Sequence, residues 1–310
     1  MIALAVVLAV LVGVSLGLLG GGGSILAVPL LVYVAGMDAK EAIATSLLVV
    51  GTTSAVALIP HARAGRVRWR TGLLFGMAGM VGAYAGGRVA EFIPGQLLLV
   101  AFSLMMLATA AAMIRGRKAP SRPPHSDVPV VRVLVDGVVV GLVTGLVGAG
   151  GGFLIVPALV LLGGVPMSVA VGTSLLVIAM KSFAGLAGYL ASVEINWSVA
   201  LAVTAAAVLG SLVGSRLTGV IHPETLRKGF GWFVIAMGLL VLVQQAPPEL
   251  TAQPWFWAGL GAVLVAVGAA SFVLWRRRGR PGGEVAGPTD TSAPPATTAP
   301  TPGQSDRTRS

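Results

Sequence analysis

The chain has 310 residues, of which 55% are hydrophobic and only 10% charged, and its mean hydropathy is +0.91. Soluble domains carry about 25% charged residues, so a soluble globular fold is excluded and an all-α polytopic membrane protein is expected. Cysteine is absent and there are only three histidines, His61, His125 and His222, which excludes disulfides, thiol chemistry and a His-rich metal cage; the net charge of +10 acquires a meaning only once it is located along the chain.

A spanning helix needs about 20 apolar residues. The first apolar region, 2–36, is cut by Gly20, Gly21, Gly22 and Gly23. No basic segment precedes it, which argues against a cleaved leader. Spans are then predicted at 42–60, 71–90 and 97–114. A basic, Pro-rich stretch, 115–132, reads as an exposed cytoplasmic linker. A second interrupted region, 133–164, is cut by Gly148, Gly150, Gly151 and Gly152. Further spans follow at 168–190, 198–218 and 229–244, and a final one at 255–275. The tail, 276–310, begins with Arg276, Arg277 and Arg278 and continues rich in Pro, Thr, Ser, Gly and Ala, so disorder is expected there. Barrel strands would alternate polar and apolar residues, so helices are the expected spanning form. The second piece of each interrupted region is too short to span comfortably and reads as a broken helix or re-entrant hairpin.

The chain also repeats itself. A shift of 128 residues without gaps makes 20 of 46 positions identical over 13–58. GLLGGGGSILAVPLLV at 17–32 aligns with GLVGAGGGFLIVPALV at 145–160, and ATSLLV at 44–49 with GTSLLV at 172–177. Trp69 meets Trp197, Gly82 meets Gly210, Gly86 meets Gly214 and Arg88 meets Arg216. Residues 1–114 and 133–244 are therefore read as two duplicated membrane units.

Arg63, Arg66, Arg68 and Arg70 share one short loop, and Arg115, Arg117, Lys118, Arg122 and Arg132 lie in or beside the linker. Arg227 and Lys228 mark a third basic loop, whereas 191–196 and 245–254 hold no Lys or Arg. Basic loops stay on the cytoplasmic side. Loop 61–70 is then inside while its repeat partner 189–198 is outside, so the units are expected to be inverted, provided 133–164 crosses an even number of times. Inverted repeats with broken helices are a recurring transporter architecture. The positive charge is thus topological, and nucleic-acid binding is not expected.

Each glycine run precedes a short apolar helix carrying Pro29 or Pro157. The N–H groups at the start of each helix, around Gly22, Gly23 and Ser24 and around Gly150, Gly151 and Gly152, form a positive end suited to an anion; the bland alternative is tight helix packing. Neither run has the Gly-Lys-Ser/Thr of a nucleotide loop. Thr45, Ser46, Thr173 and Ser174 lie one turn into the next helices, as candidate donors to an oxyanion. Lys181 is the basic residue near the middle of a clear span, and its repeat partner is Thr53. A central lysine costs about 2.5–3.5 kcal/mol on insertion scales and points to function by default. The pairs Gly82/Gly86 and Gly210/Gly214 read as packing inside the bundle, and Trp69, Trp197, Arg88 and Arg216 as interfacial anchors. Asp136 is the acidic residue inside an apolar run, near a cytoplasmic end, which leaves a coupling ion, H+ or Na+, unassigned. Neither a cofactor nor catalysis is expected.

The two glycine-rich blocks, each followed by TSLL, make the chain resemble the sulfite exporter TauE/SafE family over most of 1–276. The resemblance implies a bacterial inner-membrane permease for small sulfur-containing anions such as sulfite or organosulfonates, working by alternating access with its C-terminus in the cytoplasm. The competing expectation is a non-transporting membrane subunit that binds a partner protein through its basic loops or tail.

Overall fold

The computed structural model describes residues 2–19, 22–115, 130–148, 155, 167–217 and 223–246. Among these residues every regular element is helical. In chain order they are α1 (Ile2–Leu19), α2 (22–34), α3 (Ala39–Arg63), α4 (Trp69–Val89), α5 (Gly95–Arg115), α6 (Val130–Val147), α7 (Met167–Tyr189), α8 (Trp197–Leu217) and α9 (Pro223–Gln245). Among the described residues four helices are long and apolar enough to cross a membrane, Ala39–Arg63, Trp69–Phe92, Val169–Tyr189 and Trp197–Arg216, and they match the spans expected at 42–60, 71–90, 168–190 and 198–218. The spans expected at 97–114 and 229–244 are helical, with shorter apolar stretches at Gly95–Ala111 and Gly231–Gln245. Gly150, Gly151, Gly152, Pro157, most of the linker, the span expected at 255–275 and the tail lie outside the described residues.

The sequence explains why α2 is irregular. It starts as a 3-10 turn at Gly22–Leu26, is α-helical only over Ala27–Pro29, and widens to a π turn at Leu30–Val34. Glycine weakens its first turn, and Pro29 lacks the N–H that a continuous α ladder needs.

Two helix crossings are made at backbone contact. Where α4 meets α6, a Cβ at Gly82 would overlap the Val138 carbonyl oxygen, and one at Gly86 that of Leu142. From the other side, Gly141 lies against the Gly79 carbonyl and Gly145 against that of Ala83. Where α1 meets α8, Gly210 lies against the Val10 carbonyl and Gly214 against Val14, while Gly13 and Gly17 lie against Ala207 and Ser211. The second set is the first shifted by 128 residues. The expected packing role of Gly82/Gly86 and Gly210/Gly214 is therefore present, inside the bundle. Without hydrophobic driving force between helices in lipid, such close approach supplies the van der Waals contact that holds them together.

The same contacts give helix directions. α1 runs parallel to α8, and α6 parallel to α4, because contacting residue numbers rise together. α3 and α7 run antiparallel: Gly172 near the start of α7 touches Arg66 and His61, whereas Asn196, after the end of α7, donates its N–H to Glu41 near the start of α3 at 3.0 Å. α5 pairs with α9.

The ends of the bundle differ in charge. One gathers Arg63, Arg66, Arg68 and Arg70. The other gathers Asp38, Glu41, Glu91 and Glu194, with Lys40 donating to the Glu91 carbonyl and Arg88 ion-paired to Glu91 at 3.3 Å. Between the ends, Leu4, Val7 and Leu11 of α1, Met77 and Val81 of α4, and Leu201, Leu209 and Val213 of α8 point outward. Outward apolar faces of this extent fit lipid contact. Trp69 and Trp197, 51% and 49% exposed, stand at opposite ends as interfacial anchors would.

Candidate functional site

Lys181 sits where α4, α6 and α7 meet. It is 1% exposed, and its Nζ donates to Thr144 Oγ1 at 2.9 Å. Its stem lies 3.8 Å from where a Cβ would sit at Gly79, which places the lysine against α4 at ordinary contact distance. Thr144 donates its own proton to the Val140 carbonyl at 2.7 Å, leaving its lone pairs for the lysine. No carboxylate is paired with Lys181 among the described residues. An ammonium has three N–H donors, and one is bonded here. Burying a charge without a partner is costly, and among the described residues the ammonium form of Lys181 has no compensating carboxylate.

The equivalent position on α3 is different. Thr53 donates to carbonyls of its own helix, Val49 at 2.6 Å and Val50 at 3.1 Å. Leu16 stands at the position equivalent to Thr144. The lysine–threonine hydrogen bond thus exists in one half only.

The four candidate hydroxyls are all buried, but they are not equally available. Thr173 donates to the Val169 carbonyl at 2.7 Å and accepts the Arg68 N–H at 3.0 Å, tying the basic loop to α7. Ser174 donates to Val171. Ser46 lies 2.7 Å from the Ile43 carbonyl and 2.8 Å from that of Gly148, so one proton is shared between α3 and the second glycine break. Thr45 Oγ1 has no partner. Its repeat equivalent, Thr173, accepts the Arg68 amide, but the amide equivalent to Arg68, Asn196, is taken by the Glu41 carboxylate.

The described start of the second break is held firmly. Gly148 ends α6 with φ +74°, a conformation that favours glycine, as in a helix C-cap. Tyr189 donates to the Leu146 carbonyl at 2.6 Å, two residues before Gly148. At the first break, Ser24 is fully buried in the 3-10 turn, and Pro29 is buried beside α3. Gly22 and Gly23 open that turn. α2 is a succession of short helical pieces rather than one helix, so its first amides converge less than a regular helix start would.

Sequence reasoning missed Thr144, Tyr189 and Gly79. None is set apart by residue type, and only the fold brings Thr144 and Gly79 to Lys181. An open cleft at the acidic end is lined by Asp38, Lys40, Glu41, Ser192 and Glu194, with carboxylates in excess. It suits an anion poorly and lies at the far end of α3.

The sequence profile described as sulfite exporter TauE/SafE matches residues 5–241. The chain is 38% identical over 241 residues to a probable membrane transporter protein of Xylella fastidiosa strain Temecula1, covering 75% of this chain and 91% of that one. It is 28% identical to a probable membrane transporter protein of Methanocaldococcus jannaschii, with 77% and 95% covered, and 28% identical to another of Bacillus subtilis, with 71% and 90% covered. No solved structure matches it. The match takes in both glycine-rich blocks, both TSLL elements and Lys181, and the outward apolar faces agree with a multi-pass membrane protein; the chain belongs to the TauE/SafE sulfite exporter family of membrane permeases.

Proposed function

We propose that this permease is a secondary transporter of small oxyanions, sulfite or organosulfonates, working by alternating access between two inverted repeats in the bacterial inner membrane. The observation that carries the reading is Lys181: a buried ammonium with one neutral partner and no carboxylate among the described residues, where α4, α6 and α7 meet.

Helix directions support inversion. The equivalent helices α3 and α7 are antiparallel, and α1 starts at the end of the bundle where α8 starts. α2 finishes at that same end, since Tyr33 accepts a bond from Gln245, whose carbonyl in turn accepts from Gln96. α1 and α2 thus read as a re-entrant hairpin. α6 and α7 both start at the basic end, as an even number of crossings for 133–164 requires. Placing the basic end in the cytoplasm satisfies the positive-inside rule and carries the tail inside after a span at 255–275.

In this reading Lys181 neutralises the anion and Thr45 supplies a free hydroxyl. Ser46, Thr173 and Ser174 form the wall, and the two glycine breaks, at Gly22, Gly23 and Ser24 and at Gly150, Gly151 and Gly152, turn backbone N–H groups toward it. Pro29 and Pro157 keep the segments after the breaks from joining a continuous helix. Rocking of one half against the other about the glycine crossings exposes the site to each side in turn. A coupling ion, H+ or Na+, drives the cycle. Flux of sulfite, sulfoacetate and sulfate into proteoliposomes tests it: saturable flux of at least one is expected, and folded protein that moves none of them contradicts the function.

A further inference from the structure

Two buried hydroxyls take no part in anything described so far. Ser54 on α3 and Ser182 on α7 are fully buried, and neither Oγ has a hydrogen-bond partner among the described residues. They are equivalent under the 128-residue shift, and both are serine. Most serines inside membrane helices return their proton to their own helix, as Ser46, Ser103, Ser174 and Ser211 do here. Ser54 and Ser182 do not, although a carbonyl one turn back is always within reach. Two orphaned hydroxyls at equivalent places are not a random defect, since an unpaired buried polar group is unfavourable each time it occurs.

Their place is informative. A Cβ at Gly51 of α3 would lie 3.3 Å from Ser182 Cβ, so Ser182 faces the crossing of α3 and α7. Because these helices run antiparallel, one turn along α3 brings Ser54 level with Ala179, one turn back along α7. Ser54 and Ser182 therefore sit about three residues (~4.5 Å) apart along the axis of the crossing. Lys181 directly precedes Ser182 and among the described residues has two unbonded donor positions. α7 carries no carboxylate, and the only one on α3 is Glu41, at its far end. A cation at this crossing would meet the lysine without a compensating negative charge, so the chemistry favours an anion.

We infer that Ser54 and Ser182 form a paired hydroxyl site for an oxyanion at the α3–α7 crossing, each donating to a different oxygen of the same bound molecule. The inference rests on the transport reading and gives it a central site: as α3 and α7 part, the anion takes the place of direct helix contact. The nearly two-fold pair suits a tetrahedral or pyramidal oxyanion, which offers oxygens to both sides, and Lys181 breaks the symmetry by meeting its charge from one half.

The test is Ser54→Ala, Ser182→Ala and the double variant, read in two ways. In proteoliposomes, each single variant is expected to raise KM for sulfite about tenfold, the usual weight of one hydrogen bond to a charged group. In detergent, the melting temperature of the anion-free double variant is expected to stay the same or rise, because the hydroxyls removed are unpartnered, while the upward shift that wild type shows with added sulfite is lost. An unchanged KM in the double variant overturns the inference and leaves the transport function standing. A melting temperature that falls in step with affinity assigns the serines to packing and also overturns it. Wild type that binds sulfite, with a shift lost in the double variant, yet moves no anion preserves the site and refutes transport.

Discussion

The two halves differ most at one pair of equivalent positions. On α7, Lys181 reaches across to Thr144 and, among the described residues, leaves two donor positions unbonded; on α3, Thr53 turns its proton back to Val49 and Val50 of its own helix, and the position equivalent to Thr144 is Leu16. The glycine scaffold that holds the helices together is shared. The crossing of α4 with α6 and that of α1 with α8 use the same glycines in the same order. The scaffold is thus built twice and the charge once. A second half can copy backbone geometry without penalty, but a second buried ammonium would repel the first and double the burial cost. The halves also differ where α4 meets α7. A Cβ at Gly87 would lie 2.6 Å from the Gly185 carbonyl and close to Gly188, whereas the equivalent positions between α8 and α3 are Ser215, Ala57 and Pro60, and those helices pack less closely. The tighter crossing is the one beside Lys181.

The largest effect is expected from breaking the shared scaffold. Gly82→Leu and Gly210→Leu each push a side chain into a facing carbonyl, and both should abolish recovery of folded protein in detergent, as read by size exclusion. Loss in only one of them would show that the two crossings do not bear equal weight.

Next comes the charged position. Lys181→Met should lower affinity for sulfite about 10- to 100-fold, the weight of one or two charge-assisted bonds, while leaving the melting temperature equal or higher. Thr53→Val, its mirror, should change affinity less than twofold. Equal losses in both would mean that the difference between the halves has no bearing on the substrate.

A smaller effect sharpens the comparison at the helix ends. Tyr189 and His61 are equivalent; the tyrosine bonds Leu146, whereas His61 Nδ1 has no partner. Tyr189→Phe should cost about 1 kcal/mol in stability by chemical denaturation, and His61→Phe should show no comparable hydrogen-bond loss.

Much of this was legible in the sequence, and for physical reasons. A span of about 20 apolar residues announces itself, and the Arg63–Arg70 loop marks one end of the bundle by its charge alone. The duplication made Gly82 and Gly210 a pair before any contact was known. The partners were not legible. Nothing in the residue type of Thr144 or Gly79 says that it faces Lys181, because which helices neighbour one another is fixed by crossings distant in sequence. Ser54 and Ser182 were visible as identities under the shift. Their lack of partners was not, since serine in a membrane helix usually bonds its own backbone, and only the structure shows an exception.

The claim on which the comparison stands is that equivalent loops lie on opposite sides of the membrane. Arg66 and Glu194 are equivalent positions, both exposed, and the chain has no cysteine of its own. Arg66→Cys and Glu194→Cys, made singly and treated in whole cells with a membrane-impermeant thiol reagent, measure it directly. The account predicts that the Glu194 variant is labelled from outside and the Arg66 variant only after permeabilisation; labelling of both from the same side would contradict it.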